Sequence, residues 1–202
     1  MSYIEKVHRA VQSLELNEVV PFSAIKIDGL STDTRRKILH RLHDTGVITI
    51  VKRGYLKREE PFSALLFVYG SLKKGFDNHN ILGNSAKRLG KARTIKKFSM
   101  YEDSFGNYPY IVDEPYSKIK GELYQIMRAD LMQKLDEFEG VPDYYERKKI
   151  EVKSHHGVKR AFVYIRKDVE VSDKQEPLKE WVNNIDYKVE KLYSALDAMI
   201  EG

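Results

Sequence analysis

The sequence predicts an α+β protein in three segments: a small module of three helices and a β-hairpin, a mixed β-barrel-like sheet with helices, and a long C-terminal helix. Three observations predict it. Apolar residues recur at helical spacing before residue 45, short apolar strands separated by turns dominate from residue 64 to 165, and a single apolar stripe runs from Leu178 to Met199. Glu59-Glu60-Pro61 and Glu176-Pro177 are the seams, so the predicted domains are residues 1–60, 61–175 and 176–202.

In the first segment, Ile4, Val7, His8 and Val11 place an amphipathic helix over residues 3–14. A second, short helix near residues 22–27 is broken by Asp28-Gly29. Ser31 or Thr32 is a suitable N-cap for a third helix, from about Asp33 to Asp44, whose buried stripe is Ile38, Leu39 and Leu42; Gly46 stops it. Residues 47–51 read as a strand, Lys52-Arg53-Gly54 as a turn and residues 55–57 as the returning strand.

Three helices and a hairpin in this order resemble a winged helix-turn-helix. The resemblance implies contact with duplex DNA through Thr34, Arg35 and Arg36, at the start of the third helix, and through Lys52 and Arg53 of the wing. Charge agrees in sign. Residues 31–58 carry eight Lys and Arg against two Asp, whereas residues 1–30 carry three against four carboxylates. The alternative for this module is packing or protein contact, with its charges solvated.

In the second segment, residues 64–69, 108–112, 119–126, 148–152 and 160–165 read as strands, the last two joined by His155-His156-Gly157. Residues 128–139 read as a helix. At about 100° per residue Glu139 falls between Leu135 and Met132 on its apolar arc, which also holds Leu131 and Phe138, whereas Asp136 and Glu137 fall outside it and face water. A carboxyl on the core side is costly when charged, so Glu139 is expected to hold a raised pKa suited to proton transfer near neutrality. The alternative is a helix that has ended by residue 139, with Glu139 at the surface. At the end of the first strand, successive N–H groups of Gly70, Ser71 and Leu72 are able to form a concave anion-binding turn.

The runs Tyr69-Gly70-Ser71-Leu72-Lys73-Lys74-Gly75 with Asn78-His79, Tyr108-Pro109, Gly121-Glu122-Leu123-Tyr124, and Leu135-Asp136-Glu137-Phe138-Glu139-Gly140 with Tyr145 and Arg147 occur in that order. Together they resemble the γ-glutamyl cyclotransferase and AIG2-like superfamily, on the γ-glutamylamine cyclotransferase side because Leu72 runs directly into Lys73. The resemblance implies a mixed β-barrel and an enzyme that cyclises a γ-glutamyl amide or amine to 5-oxoproline. Glu139 is then the general base and acid, and Tyr69, Gly70, Ser71, Leu72 and Tyr145 bind the small γ-glutamyl substrate, with no metal and no cofactor. The alternative is a DNA-binding regulator or antitoxin-like protein whose cyclotransferase-like domain senses a ligand without catalysis. The segment 95–107 departs from the family, with Lys96-Lys97 and Tyr101-Glu102-Asp103 where a shorter, glycine-rich stretch belongs.

Composition narrows the rest. With 42% hydrophobic and 32% charged residues the chain is expected to fold rather than stay disordered. Its lack of cysteine removes disulfides and thiolate chemistry and suits a reducing compartment, the cytoplasm. The first residues lack the pattern of a signal peptide, and the longest apolar run is too short for a bilayer, so no membrane is expected. His40 with His43, and His155 with His156, bring no third metal ligand at a sensible spacing. Leu178, Trp181, Ile185, Val189, Leu192, Leu196 and Met199 form a heptad-like stripe, covered either by the chain's own domains or by a homodimer seam.

Overall fold

The computed structural model describes residues 1–103, 106–167, 169 and 176–182. By packing the chain divides into two compact units.

The first unit comprises Met1–Ala64, Asn84–Lys87 and Gln125–Gln133. Helix α1 (Tyr3–Gln12) opens on a capping box between Ser2 and Glu5 and buries Val7 and Val11. Strand β1 (Val19–Pro21) was not legible as a strand; it is only three residues long, and a single 3₁₀ turn (Phe22–Ala24) follows where a helix was expected. Helix α2 (Thr32–Asp44) is capped by the Ser31 side chain and buries Ile38, Leu39 and Leu42. Strands β2 (Ile48–Lys52) and β3 (Tyr55–Arg58) form the expected hairpin, and β1 adds to it in the order β1-β3-β2. Val7, Val11, Ile25, Leu39, Ile48 and Leu56 close one small core.

One predicted DNA contact changes here. Arg35 is half-buried and donates to the Ile25 carbonyl at 3.2 Å, because its place one turn into α2 faces the 22–27 segment rather than solvent. Thr34, Arg36, Lys52 and Arg53 are exposed. Within this unit the Arg128 guanidinium ties several segments together. It reaches the carbonyls of His43 and Ile48 at 3.1 and 3.3 Å and pairs with Asp130 at 2.8 Å.

The second unit comprises Leu65–Gly83, Arg88–Tyr124 and the described residues from Lys134 on. Its frame is a closed barrel. Strands β4 (Ala64–Val68), β5 (Ala86–Thr94), β8 (Lys120–Ile126), β9 (Tyr145–Ser154) and β10 (Gly157–Arg166) close in the order β10-β4-β8-β5-β9. Closure leaves no free sheet edge, so the short, wholly apolar β4 is paired on both sides and buried at Leu66, Phe67 and Val68. Strands β6 (Phe98–Glu102) and β7 (Pro109–Ser117) form a separate antiparallel pair, with Met100 opposite Ile111. Helix α3 (Ala129–Phe138) leads into β9.

The segment 95–107 thus supplies β6, all five of whose residues are buried. Phe98 and Met100 join Phe67, Ile119, Leu123, Val152 and Val163 in the core of this unit.

The predicted C-terminal helix does not begin at Leu178. Leu178 donates its N–H to the Met100 carbonyl at 2.7 Å in an isolated antiparallel bridge, and Trp181 enters the core. Two apolar residues three apart fit a strap laid across a core as well as a helix face, and the sheet carbonyl claims the Leu178 donor that a helix leaves unused. Ile185, Val189, Leu192, Leu196 and Met199, and with them the expected dimer seam, lie outside the described residues. Among the described residues no helix is long and apolar enough to cross a membrane.

Candidate active site

Strand β4 delivers Tyr69, Gly70, Ser71 and Leu72 to one wall of a narrow pocket; the opposite contributions come from Phe138 and Glu139 at the end of α3, Tyr145 at the start of β9, Tyr164 of β10, and Tyr108 with Pro109. Its cavity volume is about 50 Å³. That is several times the minimum of about 10–15 Å³ that one water requires, so a small polar group fits beside a few waters.

Local backbone chemistry explains why Glu139 arrives there. Its N–H still bonds to Leu135 at 2.9 Å, as in a helix, and the chain then turns back, with Gly140 N–H to the Glu137 carbonyl and Val141 N–H to the Asp136 carbonyl at 3.2 and 2.9 Å. This is a Schellman ending with Gly140 in the left-handed position, at φ 64°. Glu139 is therefore the capping residue, held on the pocket side by the turn rather than released into a loop.

Burial lifts the Glu139 carboxyl from its ordinary 4.5 to about 7. The negative end of α3 acts in the same direction. Among the described residues the carboxyl has no hydrogen-bond or ion-pair partner to offset this. Phenol groups surround it: burial first, then Tyr145 and the Glu139 charge, push Tyr69 up, and burial followed by the Glu139 charge pushes Tyr145 up, so both stay protonated.

The loop after β4 is braced on its own side. Lys73 N–H bonds to the Gly70 carbonyl at 3.0 Å, the Asn78 amide donates to Ser71 Oγ at 3.0 Å, and His79 Nδ1 lies 3.0 Å from the Leu72 carbonyl. These bonds use carbonyls and side chains. The N–H groups of Gly70, Ser71 and Leu72 find no acceptor among the described residues. Gly70 packs against Pro109, where an added Cβ would lie 2.9 Å from its Cγ.

All six predicted pocket residues, Tyr69, Gly70, Ser71, Leu72, Glu139 and Tyr145, line the one hollow. Their parts differ from expectation in one respect. The Tyr69 hydroxyl is committed to the barrel, donating to the Tyr164 carbonyl at 2.9 Å and accepting from the Ile111 N–H at 3.4 Å, so this ring is a wall of the pocket.

Two positions on α3 also differ. Asp136 does not face water: it accepts from the Tyr164 hydroxyl at 2.9 Å and from Arg147 at 2.6 Å. A helical angle alone gives no sign that β9 and β10 present a matching pair of donors there. Phe138 is 44% exposed despite its apolar angle, because it sits at the pocket mouth.

Sequence reasoning missed Tyr164, whose only signal is a lone hydroxyl within Ala161-Phe162-Val163-Tyr164-Ile165. It also missed the role of Glu122. That carboxylate accepts from the Lys74 N–H at 2.9 Å, Arg88 at 2.6 Å and the Tyr124 hydroxyl at 2.8 Å, anchoring the loop just beyond the cradle. No group of three side chains able to hold a metal ion occurs among the described residues.

The site is thus a pocket of the barrel unit lined by one lifted carboxyl and by a turn of unspent N–H groups. The profile described as gamma-glutamyl cyclotransferase, AIG2-like, matches residues 66–183, more than half of the chain, and the chain belongs to that family. Over 88 residues it is 43% identical to a Methanocaldococcus jannaschii protein provisionally named γ-glutamylcyclotransferase, covering 43% of this chain and 70% of that one. Over 134 residues it is 33% identical to γ-glutamylaminecyclotransferase B of Danio rerio, covering 61% of this chain and 65% of the relative. The chain thus spans about two thirds of the length of these relatives. The crystal structure of an AIG2-like protein from Mus musculus superposes with a TM-score of 0.54 at 23% identity, over 62% of this chain and 92% of that one, a likeness of fold.

Proposed function

We propose that the chain is a γ-glutamyl cyclotransferase acting on γ-glutamyl amines, with Glu139 as its acid and base. The observation that carries this reading is the lifted Glu139 carboxyl in the same small pocket as three backbone donors. The glutamyl end of the substrate lies along Gly70-Ser71-Leu72, where N–H groups receive its carboxylate. The Glu139 carboxylate removes a proton from the substrate's α-amino group, and that nitrogen attacks the γ-carbonyl carbon. A C–N bond forms, the negative charge on oxygen is held by N–H donors, and collapse breaks the bond to the leaving amine. Glu139 then returns its proton to that amine. The products are 5-oxoproline and the free amine, and no water is consumed. Nucleophile and electrophile belong to one molecule, so orientation in the cradle supplies much of the rate.

The test is release of 5-oxoproline from γ-glutamyl-lysine, γ-glutamyl dipeptides and glutathione. γ-Glutamyl-lysine is expected to be the best substrate; absence of product from all of them rejects the proposal. Within this mechanism Gly70→Ala is expected to lower kcat/KM by about tenfold to a hundredfold, since its Cβ meets the rigid Pro109 ring and must shift the donors. An unchanged kcat/KM in that variant removes the loop from substrate binding.

A second, separable reading of residues 1–60 is duplex-DNA binding by a winged-helix-like module. Its support is the exposure of Thr34, Arg36, Lys52 and Arg53 on α2 and the hairpin. Affinity is expected to fall steeply with salt, and Arg36→Ala or Arg53→Ala to reduce the log–log slope by about one each. A binding curve flat with salt rejects it.

A further inference from the structure

Beyond Leu72 the same loop enters a second hollow, of about 490 Å³, that shares no lining residue with the Glu139 pocket. Its charge is one-sided. Lys74, Lys91, Arg93 and Lys153 line it, and none of their side chains has a carboxylate partner among the described residues. Its two carboxylates are already committed, Glu122 to Arg88 at 2.6 Å and Glu180 to Lys120 at 2.8 Å. Lys73 adds an ammonium that is only 7% exposed, donates to the Trp181 carbonyl and sits 4.6 Å above the Phe76 ring.

The strand register sharpens the point. In the β5–β9 ladder Arg93 lies directly opposite Lys153. Like charges placed so repel and destabilise the pair. Lys91, two residues before Arg93 on β5, projects from the same face of the strand. Three cations thus crowd one face of two neighbouring strands, with Lys74 on the adjoining loop. An anion among them converts mutual repulsion into attraction and accepts charge-assisted hydrogen bonds. The cations surround a hollow instead of following a stripe, which suits a small molecule better than a nucleic-acid backbone. Phe76 offers it an apolar wall.

We propose that this hollow is a binding site for a small polyanion with the chemistry of a diphosphate. The probe is inorganic pyrophosphate, titrated calorimetrically into the full chain, with sodium chloride of matched ionic strength as the control. Saturable binding is expected, accompanied by a change in the fluorescence of Trp181, the only tryptophan. Arg93→Gln and Lys153→Gln are each expected to weaken it by about tenfold, the loss for one charge-assisted hydrogen bond. Both exposed substitutions relieve the cross-strand repulsion, so each ligand-free variant is expected to melt above the wild type, which also reports that it folds. A parallel titration with citrate separates sources: equal affinity assigns the site to polyanions by charge, weaker affinity to phosphates, and the proposal holds in both cases. It is overturned if pyrophosphate gives no saturable heat, if chloride reproduces the effect, or if both variants bind as the wild type does.

Discussion

Glu139→Gln is expected to reduce 5-oxoproline formation by about 10²–10⁴-fold, the usual worth of a positioned proton-transfer group, while the barrel stays folded. The amide keeps the size and polarity of the side chain but neither takes a proton from the α-amine nor returns one to the leaving group. The pH profile supplies an independent check. The carboxyl must be ionised to act as base, and burial sets it at about 7, so kcat/KM is expected to rise with pH and level off above that value. Stability should move oppositely. In the unfolded chain the same carboxyl ionises near 4.5, so between 4.5 and about 7 the folded state holds a proton that the unfolded state has lost. Stability therefore falls as pH rises through that window, by up to about 3 kcal/mol from this group. Glutamine removes the cost: the variant is expected to unfold at higher urea than the wild type at pH 8 and at similar urea near pH 4. Equal activity of the variant and wild type, or a rate flat from pH 5.5 to 8.5 (about three pH units around the expected midpoint), contradicts the assignment of Glu139.

Gly121→Ala is expected to destabilise the second unit by about 3 kcal/mol or more, at the upper end of what overpacking costs. A Cβ at this position would lie 2.3 Å from the Val68 carbonyl oxygen and 2.7 Å from the Phe67 ring. The oxygen belongs to the backbone, so no rotamer change relieves the contact; β8 and β4 must separate. Since β4 carries the cradle, the loss extends to the pocket. Urea unfolding at pH 7 measures it, and an unchanged midpoint shows that the strands are not in such close approach.

Much of the candidate site was legible because it is written in neighbouring residues. The helical angle of Glu139, beside Leu135 and Met132, put it on the core side, whereas the glycine-terminated ending that holds it there emerged only from the structure. An apolar strand followed by Gly-Ser encodes a turn with unspent donors. The partners of those groups were not legible. Asp136 has a solvent angle on its helix, yet Arg147 and Tyr164, 11 and 28 residues away, convert it into a braced carboxylate. Glu122 holds a loop residue 48 positions earlier. Strand β5 escaped notice because Ala86-Lys87-Arg88-Leu89-Gly90-Lys91 is small, polar and charged; barrel closure supplies its hydrogen bonds, and only Ala92 and Thr94 near its end are buried.

Local order in the chain was thus determined by sequence alone: the cap at the start of α2, the hairpin of residues 48–58, the buried strand β4 and the carboxyl that follows Leu135 at one helical turn. These depend on contacts within a few residues, where spacing and turn chemistry are decisive. Tertiary structure decided what each polar group meets. It tied up the Tyr69 hydroxyl, withdrew Arg35 from the surface, laid Leu178 against Met100 as a strap, and set Arg93 against Lys153. Such pairings join positions from ten to about a hundred residues apart, and only the packing of each folded unit brings them within hydrogen-bonding or Coulombic reach.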